Sequence, residues 1–400
     1  MSIMTTNTID ITHTHAYKLI VTYKEMGIDQ STDMNKTFSA KVNIVDLRAS
    51  ADNINPYSSN KNALNYQIVN SALEGGTNRT IYGSEVTTFA SISGENERVL
   101  NTAPDDYGTS YYFRGNVLDN YVSFANKTWR IVRINGDGSI RLVLDDVAKD
   151  SSGKVITTEF NSSYNDNAYI GYMYGTAGST TYDATHENLN DSIIKIAVDK
   201  WYEDNLKTNY ANYLSDTLFC NDKTLASNSI GSSNTALGYG KNKTYYSSAE
   251  RLTYSTGTTT ITTSKPTFEC AKDANNTYSR FTVDVVTLAN ENKTNGNLKY
   301  PIGLLTADEV AYAGAYKYYQ TNTAYYLYNS SITSYWWLSS PYISDDSLAA
   351  ELSVDSTYAS ITINLARTSR AFRPSINLKS DIQISGGNGT KENPYTVKLS

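Results

Sequence analysis

The reactive groups of this chain are few: two cysteines, three histidines and several runs of carboxylate and amide oxygens. Cys220 and Cys270 are separated by a Ser/Thr/Asn-rich stretch, with no C-x-x-C and no nearby histidine to complete a metal site. One disulfide closing that loop is the use they favour, and it requires an oxidising compartment; two buried free thiols are the alternative. His13, His15 and His186 are too few and too scattered to build Ser/His/Asp catalysis. His13 and His15 would share one side of a strand, but no third ligand stands near them in sequence, so no metal is assigned. Asn135-Gly136-Asp137-Gly138 and the run from Asn161 to Asn167, with Asp166, offer hard oxygens of the kind that hold a structural calcium, although turn chemistry accounts for both. No cofactor is expected. Between Ser340 and Arg370, the residues Tyr342, Ser344, Asp345, Asp346, Ser347, Asp355, Ser356, Tyr358, Thr368, Ser369 and Arg370 mix small polar and aromatic side chains as binding loops do. A solvated loop without a partner is the plainer account of them.

Composition narrows the partners. Lys and Arg number 34 against 40 Asp and Glu, a net charge of -6 that repels a polyphosphate backbone, so nucleic acid is not an expected partner. Charged residues are only 18% of the chain, and Ser, Thr, Asn and Tyr supply the polarity instead, which leans extracellular. The 34 tyrosines against 9 phenylalanines favour aromatics that carry a polar handle, the type enriched where surfaces bind. Met1 to Asp10 has no basic segment followed by an apolar one, and no apolar run approaches the roughly 20 residues of a membrane span. A targeting or anchoring segment, if the protein is exported, is therefore expected upstream of this start.

The elements that must position these residues follow from periodicity. Ala16 to Tyr23 and Lys36 to Ile44 alternate apolar with polar residues, predicting an N-terminal antiparallel β segment over 1–48. In a helical bridge and linker over 49–106, Leu64, Ile68, Ala72 and Leu73 recur at helical spacing, and Gly75-Gly76 supplies a stop. Tyr121 to Phe124, Trp129 to Ile134 and Ser139 to Leu144 read as a meander, with Asn135-Gly136 as its hairpin signal. Asp191 to Leu206 predicts a helix with Ile193, Ile194, Ala197, Val198 and Trp201 on one stripe, capped by Asn190 or Asp191. Residues 208–300 form a long polar stretch that carries both cysteines. Thr306 and Glu309 have capping-box spacing before a short helix that ends at Gly314. Four strands follow: Tyr335 to Pro341, Leu348 to Val354, Ala359 to Leu365 and Phe372 to Leu378. Trp336 and Trp337 would pack on opposite faces of the first, and Arg373 would pair with a carboxylate such as Glu309. Residues 379–400 form a tail with hairpin character, and the class is α+β.

Four ordered motifs carry a resemblance. Val122-x-Phe124 with Trp129-Arg130-Ile131, Gly303-Leu304-Leu305-Thr306-x-x-Glu309, Trp336-Trp337-Leu338-x-Ser340-Pro341 and Phe372-Arg373-Pro374 resemble uncharacterised C-type-lectin-like surface domains of Gram-positive gut bacteria. Those are similar in outline to the formylglycine-generating enzyme and to diversity-generating-retroelement target folds. The resemblance implies a C-type-lectin-like domain over 107–378 whose late loops form the ligand face. It also raises a formylglycine-generating activity, which would need a reactive cysteine pair on the late strands near Phe372-Arg373-Pro374, where neither cysteine lies.

The expectation is thus a non-catalytic extracellular or cell-surface protein that binds a protein or glycan through Tyr342, Ser344, Asp345, Asp346, Asp355, Tyr358 and Arg370. Two alternatives stand beside it. One is a pilin-like or fibre subunit that assembles through the N-terminal strands. The other is a retroelement-diversified receptor, since adenine-directed mutagenesis of Asn codons yields the Tyr, Ser, Asp, Ala and Thr found in those loops.

Overall fold

The computed structural model describes residues 60–70, 80–82, 99–226, 237–252, 266–270, 279–286, 296–315 and 321–399, all within one compact unit, Val45–Ser400. The β segment expected over 1–48, with His13 and His15, and the Gly75-Gly76 stop lie outside the described residues.

Two large sheets and two small two-stranded ones, with helices set against them, make the body α+β. In the first sheet the long Lys127–Ile134 strand is central. It pairs antiparallel with Tyr121–Phe124 and Gly108–Tyr112 on one side and with Ile140–Leu144 on the other. Ile140–Leu144 continues into Ser375–Leu378 and then Ile302–Gly303. The expected meander is present, but its turn differs. Residues 135–139 close the hairpin, with Asn135 N–H donating to the Ser139 carbonyl and Gly138, not Gly136, in the left-handed region at φ 84°. Gly136 is needed for space, since a Cβ there would meet the Gly108 amide nitrogen at 2.5 Å.

The second sheet is the late meander. Trp336–Ser344 pairs antiparallel with Ala349–Asp355, which pairs with Ser360–Leu365, while Arg370–Phe372 runs parallel to Trp336–Trp337. Trp336 and Trp337 are both buried, and the Trp337 indole donates to the Thr158 carbonyl at 2.9 Å. The expected single strand from Phe372 to Leu378 is instead two. Pro374 has no N–H for a ladder, and the chain crosses there from the second sheet to the first.

The Ile193–Asn205 helix starts two residues later than the Asp191 start read from the sequence, and neither Asn190 nor Asp191 caps it. Asn190–Asp191 is held extended against Met173–Tyr174, so Ser192 becomes the cap, its Oγ accepting from the Lys195 N–H at 3.3 Å. Ile194, Val198 and Trp201 face the core, where Trp201 meets Trp129 edge-on at 6.2 Å. The capping box on Ala307–Ala313 is present: Thr306 Oγ1 accepts from the Glu309 N–H, and Glu309 Oε2 accepts from the Thr306 N–H. The Leu64–Asn70 helix buries Leu64, Ile68 and Val69 in the same core as the sheets. Strands Ile384–Gly386 and Tyr395–Val397 form the tail hairpin, and the latter docks parallel on Val122–Ser123.

Candidate functional site

The late residues singled out in the sequence stand at two ends of one strand. At the tip between Trp336–Ser344 and Ala349–Asp355, Tyr342 packs edge-on against Tyr245 at 5.7 Å, Ser344 is buried and Asp346 is exposed. Asp345 spends one oxygen on its own turn, accepting from the Ser347 N–H, the Ser347 hydroxyl and the Leu348 N–H at 2.7, 2.8 and 2.9 Å. At the other end, Asp355 is buried and accepts from the Tyr335 hydroxyl at 2.5 Å. Arg370 joins that group through its guanidinium, which lies 4.8 Å over the Tyr335 ring and donates twice to Asn364 Oδ1. Tyr358, beside Asp355, is 36% exposed. Ala349–Asp355 separates the two groups by roughly 20 Å at strand rise. Tyr342, Ser344, Asp345 and Asp346 therefore form one cluster, and Asp355, Tyr358 and Arg370 another.

A cleft of about 1020 Å³ opens elsewhere, where five segments of the chain converge. The end of Ile140–Leu144 contributes Leu144, Asp145 and Asp146; the C-terminal end of Ile193–Asn205 contributes Trp201, Asp204 and Asn205. Lys127 at a strand start, Asn329 to Ser331 and Lys391 complete the rim. The walls are held from behind. Asn329 Nδ2 donates to the Asp145 carbonyl at 2.9 Å, Asn329 Oδ1 accepts from the Ser331 N–H and hydroxyl, and Asn205 Nδ2 donates to the Trp201 carbonyl. The Lys127 ammonium lies 5.5 Å from the Trp201 ring centroid, and burial draws its pKa down. The rim carries both acidic and basic residues, with Asp146 paired to Lys149. The lining offers both hydrogen-bond donors and acceptors, with apolar residues at Leu144, Val147 and Ile156, which suits a polar ligand.

Several other ionisable groups are buried or nearly so. Glu309 stands between two buried guanidiniums, 3.2 Å from Arg141 and 3.3 Å from Arg133. Desolvation lowers Arg141 to about 10, with Glu309 opposing the shift. Glu309 is therefore not the partner of Arg373, as the sequence suggested. Arg373 instead donates to the Leu144 and Leu327 carbonyls at 2.8 and 2.7 Å and covers the Trp336 ring, because strand crossover at Pro374 aims it at backbone left open there. Arg251 bridges Asp222 and Asp308, and Arg280 pairs with Asp106 at 2.8 Å. Cys220 and Cys270 form a disulfide, and the Cys270 N–H donates to Asp106. A small, partly open space of about 10 Å³, room for about one water, lies among these charges.

The calcium candidates are occupied by their own turns. Asp137 accepts from Ser139 and Thr217, and Asp166 accepts from the Ala168 and Gly178 N–H groups. His186 is buried between Tyr182 and Tyr246, and burial lowers its pKa well below the usual histidine value.

Sequence reading missed the cleft because its walls come from segments far apart in the chain. The local signals exist, since Asp145-Asp146 abruptly ends the apolar run Ile140 to Leu144 and Asn329-Ser330-Ser331 interrupts a tyrosine-rich stretch, yet only the fold makes them converge. The chain matches no protein-family model, no curated protein and no solved structure.

Proposed function

We propose that this chain is a non-catalytic, extracellular or surface-displayed binding protein with a C-type-lectin-like body, and that its cleft takes a neutral, polyhydroxylated ligand such as an oligosaccharide. The observation that carries the reading is the cleft itself: about 1020 Å³, rimmed by hydroxyls, by the Asp146–Lys149 pair and by the amides Asn329 and Asn205, which are held by bonds to backbone carbonyls. Fixed donors and acceptors lower the ordering cost of binding, and sugar hydroxyls need both kinds. Glu351, whose pKa burial raises, and His186, whose pKa burial lowers, are sealed in the core away from the cleft lining, which favours recognition over acid-base chemistry at the cleft. The disulfide favours an oxidising setting. The lectin-like reading of the body draws on the late meander, the two helices at Ile193–Asn205 and Ala307–Ala313, and a C-terminal strand docked beside Tyr121–Phe124.

The experiment is a titration of an oligosaccharide panel against the folded chain and a Ser330→Trp variant, whose indole grows from an exposed rim position into the cleft. Binding to the parent and at least a tenfold weaker Kd in the variant is the expected result. Equal affinity in both would move the site elsewhere, and silence across the panel would remove the glycan reading. A second contact region is favoured by one observation, the Arg370 guanidinium held by Asn364 and Tyr335 next to the partly exposed Tyr358. Arg370→Ala distinguishes it, since that change leaves the cleft intact.

A further inference from the structure

Lys223 and Asn188 meet inside the body, 0% and 4% exposed. Lys223 Nζ donates to Asn188 Oδ1 at 2.7 Å and to the His186 carbonyl at 2.9 Å. Contact of that length with the carboxamide oxygen sets the amine beside the carboxamide carbon, close to the separation from which an amine attacks. The surroundings are dry: His186, Tyr246 and Glu351 are each 0% exposed. An amine kept from water favours its uncharged, nucleophilic form. Glu351 supplies an acid in the same region. One of its oxygens accepts from the Gly171 N–H at 2.9 Å, and the other has no hydrogen-bond partner. Burial raises the Glu351 pKa, against the Gly171 hydrogen bond and the Lys223 charge, which favours the protonated carboxyl.

We propose that Lys223 and Asn188 condense into an intramolecular isopeptide bond, with Glu351 as the proton donor and acceptor. Uncharged Nζ attacks Asn188 Cγ to give a tetrahedral adduct. Glu351 protonates the departing Nδ2 and takes back a proton from Nζ. The Cγ–Nδ2 bond breaks, the Cγ–Nζ bond remains, and ammonia leaves. Overall an ammonium and a carboxamide become a secondary amide and an ammonium ion, with no oxidant or reductant. The product replaces a buried amine with a neutral amide, relieving the cost of holding a charge away from water. It also ties two segments 35 residues apart just beyond Cys220, giving the polar stretch that follows a second covalent anchor beside the disulfide. The inference is independent of the ligand proposed for the cleft.

Intact-mass spectrometry of the full folded chain tests it. The expected mass is one ammonia below that of the disulfide-bonded sequence, and digestion yields a branched peptide joining Lys223 to Asn188. Lys223→Arg keeps a cationic donor but cannot form the bond, so full mass returns; Asn188→Asp changes the loss from ammonia to water. Persistence of the ammonia loss in Lys223→Arg would identify a succinimide at Asn188 and overturn the proposal. So would full mass in parent protein whose disulfide is formed, with both residues recovered in linear peptides. After refolding, Glu351→Gln forms the bond about 100-fold more slowly, as loss of a general acid-base group would cause; an unchanged rate would overturn the role given to Glu351.

Discussion

Replacing Glu309 with alanine removes a carboxylate in ion-pair contact with both Arg133 and Arg141 and one half of a capping box. Both guanidiniums are almost fully buried, and the Glu309 side chain is 2% exposed. Arg133 keeps a weaker contact with Asp105 at 3.6 Å, whereas Arg141 is left with the neutral acceptors Asn377 Oδ1 and the Leu218 carbonyl. Breaking a buried ion pair from one side costs about 3–5 kcal/mol because the surviving charge stays desolvated. Loss of the bond to the Thr306 N–H adds about 1 kcal/mol. The sum is a large share of an ordinary folding free energy of about 5–15 kcal/mol. Urea unfolding followed by tryptophan fluorescence measures it, with Thr306→Ala isolating the cap at about 1 kcal/mol. A Glu309→Ala loss no greater than that of Thr306→Ala, at unchanged denaturant slope, would refute the claim that Glu309 holds the two arginines in the core.

Cys220→Ser with Cys270→Ser opens a loop with a sequence separation of 50. Chain entropy sets the expected loss at about 4 kcal/mol, and thermal melts with and without reductant check it. His186 is neutral in the fold, its pKa lowered below 6.5 by burial, while the unfolded chain takes up the proton. Its stabilising contribution is thus present above pH 6.5 and is lost as pH falls toward the lowered folded value. The slope is up to about 1.4 kcal/mol per pH unit. His186→Phe preserves the packing between Tyr182 and Tyr246 and should flatten that slope in urea titrations run at several pH values.

Much of the fold was legible because the responsible signals are local. Thr306 and Glu309 satisfy each other within one helical turn, and the strands around Trp129 and Trp337 show themselves as β-rich apolar runs. Where the outcome depended on distant partners, local reading failed. Ser192 caps its helix only because Asn190-Asp191 is captured by Met173-Tyr174. Phe372 to Leu378 divides at Pro374 because each half finds a different sheet. Arg373 and Glu309 were matched by opposite charge, yet nearer groups claim each of them. The late polar residues were recognisable by type, but the length of Ala349–Asp355 sets them in two groups. The cleft between Asp145, Asn205, Ser330 and Lys391 left only local breaks in the sequence, since the fold alone brings those residues together.

The most direct test of the binding account is a crystal structure of the chain with the tightest oligosaccharide from the panel. The account predicts the sugar in the cleft, its hydroxyls on Asn205, Ser330 and Lys391. A sugar at the Tyr342–Asp346 tip or beside Arg370, with the cleft empty, would contradict it.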